Sequence, residues 1–234
     1  ALTFMGTRLE QWPQAQAAGM AAFFSQIGTK STGEWKEEIV FFDPHLATNE
    51  LWRGATFPDG TAARFKPGQD PREVFADWLI TPENPWFTRA IANRVWSWLM
   101  GRGIIHEADD LRPDNPPANP ELLAYLEREL IAAKYDLRQL FRLILNSKTY
   151  QLAPGGNPSL SPGEASYACY HTRRLEAEVL IDALNQITGS REKYSSPIPE
   201  PFTVIPETQR SIALPDGSIT SSFLELFGRP PRDT

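Results

Sequence analysis

Asn84–Arg112, NPWFTRAIANRVWSWLMGRGIIHEADDLR, is apolar on almost every side yet carries Arg89, Asn93, Arg94, His106, Asp109 and Asp110. A segment of this kind is built to be buried, and a buried amide or guanidinium without a hydrogen bond costs on the order of 2–7 kcal/mol. Asn93 and Arg94 therefore need partners, either as locks on the core or as parts of a site. On a helix through this stretch, Arg89, Asn93 and Trp96 share one face and Phe87, Ile91, Val95 and Trp98 or Leu99 another. A helix apolar on two faces belongs at the centre of a domain.

Punctuation around this helix sets the rest of the plan. Asp70-Pro71 supplies a cap followed by Pro at the first helical position, opening a helix to about Leu79. Asn84-Pro85 repeats the device for the central helix, with Gly101 and Gly103 expected as left-handed stops. Asn119-Pro120-Glu121 starts an amphipathic helix in which Leu122, Leu123, Leu126, Leu130 and Ile131 share a face, and Asp136 caps the next. Ser161-Pro162-Gly163-Glu164 reads as a capping box for a long helix through Ile187, ended by Gly189. Five helices with short connections predict a bundle-like helical domain over 68–234.

Upstream, Gln14–Ile27 is Ala-rich and predicts one helix after Pro13. Glu37–Asp43 reads as a strand, and Leu51–Phe57 and Ala62–Phe65 flank a Pro58-Asp59-Gly60 turn, together predicting a small antiparallel sheet. Lys66–Pro71 punctuates the chain, so a boundary is expected near 66–70, leaving 1–67 as a small α/β segment. The tail from Ser190 lacks periodicity, with Ser211–Leu214 a candidate extra strand. Ser222-Phe223-Leu224-Glu225 predicts a short closing helix that ends at Gly228. The fold class is α+β, predominantly α.

Composition narrows the function classes. The 234 residues carry a net charge of −6 with 41% hydrophobic residues, and their basic residues are scattered, which argues against nucleic acid as a partner. No apolar run approaches the roughly 20 residues of a membrane helix. One cysteine, Cys169, excludes an intrachain disulfide and multi-cysteine metal sites. The first and last residues suggest a processed form or a piece of a longer protein. Nucleotide loops, HExxH, EF-hand and GxSxG sequences are absent.

The strongest local constellation is His106, Asp109 and Asp110 in a loop after the central helix, able in principle to serve as acid, base or ligands for a hard cation. The competing reading has the same acids capping amides and pairing with Arg102 or Arg112. Arg173, Arg174 and Glu178 are placed at helical pairing distances and could tie the long helix to Asp109 or Asp110. His45, His106 and His171 are the three candidates for an axial haem or metal ligand, and no metal site is assigned. Among seven tryptophans, Trp35 and Trp52 are the candidates for an exposed carbohydrate platform.

The elements DPREVFADWLITPENPWFTRAIANRVWSWLMGRGIIHEADDLR, NPPANPELLAYLEREL, DLRQLFRLILNSKTYQL, YHTRRLEAEVLIDAL and FLELFGRPPR resemble, in order and spacing, a known family. It is the domain of unknown function at the C-terminal end of planctomycete and verrucomicrobial cytochrome-associated surface proteins. The resemblance covers about residues 68–234 and implies a periplasmic or cell-surface location and a protein partner, a cytochrome or surface assembly. FMGTRLE (Phe4–Glu10) and GMAAFF (Gly19–Phe24) resemble the end of the partner domain that precedes it, where the family commonly carries Cys-x-x-Cys-His. Here Gln11–Ala18 stands instead, so covalent c-type haem attachment is chemically excluded for this stretch, whether the haem was lost or a segment between Glu10 and Gln11 is missing. The leading expectation is an extracytoplasmic interaction or scaffold module. The rivals are a polysaccharide-active enzyme using His106, Asp109 and Asp110, and a haem- or metal-binding electron-transfer component; the cofactor is unknown.

Overall fold

The computed structural model describes residues 1–32, 38–46, 53–153, 167, 170, 172–197, 204–214 and 217–229. These contain α1 (Leu2–Met5), α2 (Gln14–Ala21), β1 (Ile27–Ser31), β2 (Glu38–Phe42), α3 (Pro71–Leu79), α4 (Phe87–Met100), α5 (Pro120–Ala132), α6 (Leu137–Leu145), α7 (Ala177–Thr188) and α8 (Ser222–Leu226), with short 3-10 turns between them. The chain is α+β and predominantly α, its described sheet being the antiparallel pair β1–β2 with Thr29 opposite Val40. Two compact units form, Ala1–His171 and Thr172–Thr234.

Local chemistry starts the helices of the first unit. Asp70 accepts the Arg72 backbone N–H at 2.9 Å, Asn119 that of Leu122 at 2.9 Å and Asp136 that of Arg138 at 2.9 Å, each satisfying a donor that the first turn leaves without a partner. Asn84 also caps, taking the N–H groups of Trp86 and Phe87 at 3.0 Å each. The central helix nevertheless starts at Phe87, later than the sequence suggested, because that side chain bonds both amides while the chain is still turning. Gly101 ends α4 in the left-handed conformation, φ 78°.

Two cores fill this unit. One gathers Ala92, Val95, Trp96 and Met100 of α4 with Leu123, Leu126 and Leu130 of α5, Leu140 and Ile144 of α6, and Ile104 and Ile105 of the loop after α4. The apolar spacing on α5 is thus what seats it on α4. The second core brings Met5, Ala22, Phe23, Ala55 and Phe57 against Phe75 and Leu79 of α3.

The N-terminal region departs from the sequence reading in two ways. The single helix expected over Gln14–Ile27 ends at Ala21, and a 3-10 turn, Ala22–Phe24, tightens so that Ala22 and Phe23 are both buried before β1 leaves. The strand expected over Glu37–Asp43 is β2, paired with the unanticipated β1, whereas the Pro58-Asp59-Gly60 turn carries only the isolated bridge Thr56–Ala62. Residues 33–37, with Trp35, and 47–52, with Trp52, lie outside the described residues, so the expected carbohydrate platform does too.

In the second unit, α7 and α8 bury Ala177, Ile181 and Leu224, with Tyr194, Leu214 and Phe223 packed alongside. Ser221 caps α8 through the Leu224 N–H at 3.4 Å, one residue before the expected cap. Ser211–Ala213 is a 3-10 turn and not an added strand. Its amides are held by Asp182, which accepts Ser211 N–H at 2.7 Å and Ile212 N–H at 3.3 Å. The long helix that is described starts at Ala177: residues 161–166 lie outside the described residues, and 172–176 are non-helical and exposed. None of those five side chains finds a burial site, so nothing repays ordering further turns.

The Arg72 guanidinium beside Asp70, at 2.6 Å, holds that carboxyl below its ordinary value. A carboxylate with a lowered folded-state pKa contributes stability that is present above its unfolded pKa and is lost as pH falls through the folded one. Melting temperature should therefore drop on acidification below about pH 4, and Asp70→Asn, which keeps the cap but removes the charge, should flatten that part of the profile. Thermal melts of both proteins from neutral to acid pH check this; parallel profiles would contradict it.

Candidate functional site

Asn93 is fully buried on α4 and spends its whole carboxamide on the loop that follows. Its Nδ2 donates to the carbonyls of Ile105 and Ala108 at 3.0 Å each, and its Oδ1 accepts the Ile105 N–H at 2.9 Å. The fork imitates a strand partner for Ile105, which lets Ile104 and Ile105 enter the core without stranding their backbone groups. Ala118 N–H closes the far side of the loop on the Ile104 carbonyl at 2.8 Å.

Gly103 makes that approach fit. It is not the left-handed stop expected from sequence; a β-carbon there would run into the Ile105 carbonyl oxygen and press within 3.1 Å of Asn93 Nδ2. The need is for space.

The acidic cluster is threaded through the same lock. Asp109 pairs with Arg94, whose guanidinium also donates to the Thr3 and Leu2 carbonyls of α1. Asp110 is gripped by Arg112, Nε to Oδ1 at 2.6 Å and Nη2 to Oδ2 at 3.0 Å, which holds its carboxyl below the ordinary range. Arg112 reaches Asp114 at 3.5 Å as well. Asn115 Nδ2 ties the His106 and Asp110 carbonyls at 3.0 and 2.8 Å. His106 is half exposed, with Nε2 3.1 Å from Glu107. Of the three residues proposed for chemistry, the two acids are thus bound by guanidinium groups from different directions, and no cluster of three His, Cys, Asp or Glu with metal-holding geometry occurs among the described residues.

The remaining candidates scatter. Arg89 reaches Glu127 of α5 at 2.7 Å, an exposed pair worth little by itself. Trp96 is buried, packs edge-on against Tyr167 at 5.1 Å between ring centroids, and its indole N–H closes no hydrogen bond among the described residues. Arg173 and Arg174 precede α7 and are exposed, so the helical pairing expected for them with Glu176 and Glu178 has no helix to stand on. Glu178 pairs with Arg229 at 2.9 Å in its own unit. His45 is exposed in the 3-10 turn Pro44–Leu46, and His171 lies outside the described residues.

A different feature of the first unit was not singled out by sequence. A groove of about 750 Å³ opens between α5 and α6, floored by Trp96, Leu126, Leu140 and Ile144 and rimmed by Tyr125, Glu129, Gln139 and Arg142. The Glu129 and Arg142 side chains have no ion-pair partner among the described residues although they line the same groove. The amphipathic spacing of both helices was visible, but the gap between them depends on how they pack.

The family comparison bears on this geometry. A family model described as PSD1, a protein of unknown function (DUF1553), matches residues 71–234. The chain belongs to this family. No curated protein and no solved structure matches. The match begins at Pro71, the first residue of α3, and takes in the α4 lock, the groove and the second unit. The family therefore confirms a domain of unknown function and adds no reaction.

Asn93→Ala should cost about 3 kcal/mol, since it strands a buried N–H and two carbonyls, and Gly103→Ala should destabilise more than Gly101→Ala, which meets no atom within 4 Å. Equilibrium denaturation of the three variants checks the order; an Asn93→Ala protein of unchanged stability would refute the lock.

Proposed function

We propose that this PSD1-family chain is an extracytoplasmic interaction module that engages a protein partner along the α5–α6 groove and performs no reaction itself. The groove carries the reading. It offers an apolar floor with a rim of opposite charges, Glu129 and Arg142, that are not spent on each other, which is the arrangement that favours a polypeptide with apolar anchors and complementary charges at its edges. The polar residues first considered for catalysis are used differently: Asn93, Arg94, Asp109, Asp110 and Arg112 hold the loop after α4 together.

The extracytoplasmic location and a cytochrome or surface assembly as the partner follow from the family resemblance of the sequence. A polysaccharide-active site built on His106, Asp109 and Asp110 would have to free both acids from their guanidinium partners first. That costs the ordering of the loop, so the groove is the better-prepared surface.

A photo-crosslinking amino acid at Gln139, in the protein produced in its native host, tests the reading. The expected result is a discrete crosslinked polypeptide, lost on the charge reversals Glu129→Lys and Arg142→Glu, both exposed changes that should leave melting within about 2 °C. A crosslink indifferent to both reversals, or retention of a glycan in place of a polypeptide, would overturn it.

A further inference from the structure

The family match starts at Pro71, yet the packing of the first unit does not. We propose that α3, α4 and the loop Gly101–Ala118 form a docking surface for a chain segment lying outside the family domain, and that residues 1–32 and 53–65 are its resident partner, recognised through the carbonyls of a short helix by Arg94 and Leu111. The proposal is independent of the groove and of what binds there.

Recognition has an apolar and a polar part. Phe23 is completely buried and sits 5.2 Å from Phe75 of α3 between ring centroids, and Phe57 stacks on Trp78 at 4.9 Å. Phe4 lies 6.1 Å from Phe87 of α4. Without the N-terminal segment, the Phe75, Leu79 and Trp78 surfaces would form a contiguous exposed apolar patch, the usual mark of an interaction site. Aromatic rings anchored in such a surface are the groups that dominate binding energy.

The polar part gives the surface its selectivity. α1 is four residues long: its Leu2 carbonyl accepts the Gly6 N–H at 3.1 Å, whereas its short length leaves the Thr3 carbonyl without a partner within the helix. Arg94, which is largely buried, donates to the Thr3 carbonyl and, as a second donor, to that of Leu2, while Asp109 fixes the guanidinium from the other side. Leu111 N–H donates to the Gly6 carbonyl at 2.8 Å. Gly6 turns with φ 60°, and a β-carbon on it would fall 2.5 Å from Leu111 Cγ. The surface therefore selects a short apolar helix that ends in a left-handed glycine and turns its Thr3 and Gly6 carbonyls to Arg94 and Leu111. The negative end of that helix also meets a cation.

The test uses the whole chain with a protease recognition sequence inserted at the exposed turn Lys66–Gly68, cut after folding. The two pieces should stay together through gel filtration, and Arg94→Gln should raise their dissociation constant about tenfold or more, the loss of charge-assisted bonds worth 1.4 kcal/mol or above. Gly6→Val should act in the same direction by collision with Leu111. The proposal is overturned if the pieces separate while the downstream piece keeps the uncut melting temperature. Pieces that stay together equally well in both variants would also overturn it, by removing Arg94 and Gly6 from recognition.

Discussion

The middle of the first unit depends on one buried carboxamide. Asn93 stands on the helix that touches every other helix of the main core, and its three hydrogen bonds turn the chain after Met100 back over that helix. Without them Ile104 and Ile105 could reach the core only by burying unpaired peptide groups, and each such group costs about 1–3 kcal/mol. Gly103 is the geometric counterpart, an absent β-carbon that lets the Ile105 carbonyl come close enough for the fork to close.

Once that loop is pinned, the charges fall into place around it. Arg94 is one residue beyond Asn93 and points to the loop's Asp109 and to α1, so the same helical turn fixes the acidic stretch and the N-terminal segment. Arg112 and Asn115 then close the outer part of the loop on Asp110 and His106. Charge-assisted bonds of this density explain why a sequence that reads like an acid–base site is built as a brace. They also leave the α5–α6 groove with a charged rim, Glu129 and Arg142, that has no ion-pair partner among the described residues.

What could be read from the sequence was what is local. Asp70-Pro71, Asn119-Pro120 and Asp136 were legible as helix starts because a cap bonds an amide two or three residues away. The burial of Asn93 and the need for partners at Arg94 were legible from the apolar residues around them. Their partners were not: Arg94 reaches back some ninety positions to Leu2 and Thr3, and Glu178 finds Arg229 rather than a neighbour on its own helix. β1, Ile27–Ser31, has no alternation of its own and is a strand because β2 pairs with it. The role of Gly103 is not legible in sequence because its constraint is a collision with Ile105 and not a dihedral angle.

Asn93 locks the Ile105 amide inside the core. Native-state hydrogen exchange on that single N–H measures the lock without altering it. Exchange only through global unfolding, as slow as the most protected amides of α4, is the predicted result. Exchange as fast as that of the exposed turn at Lys66–Gln69 would mean that the loop opens freely, and the organising role of Asn93 would be contradicted.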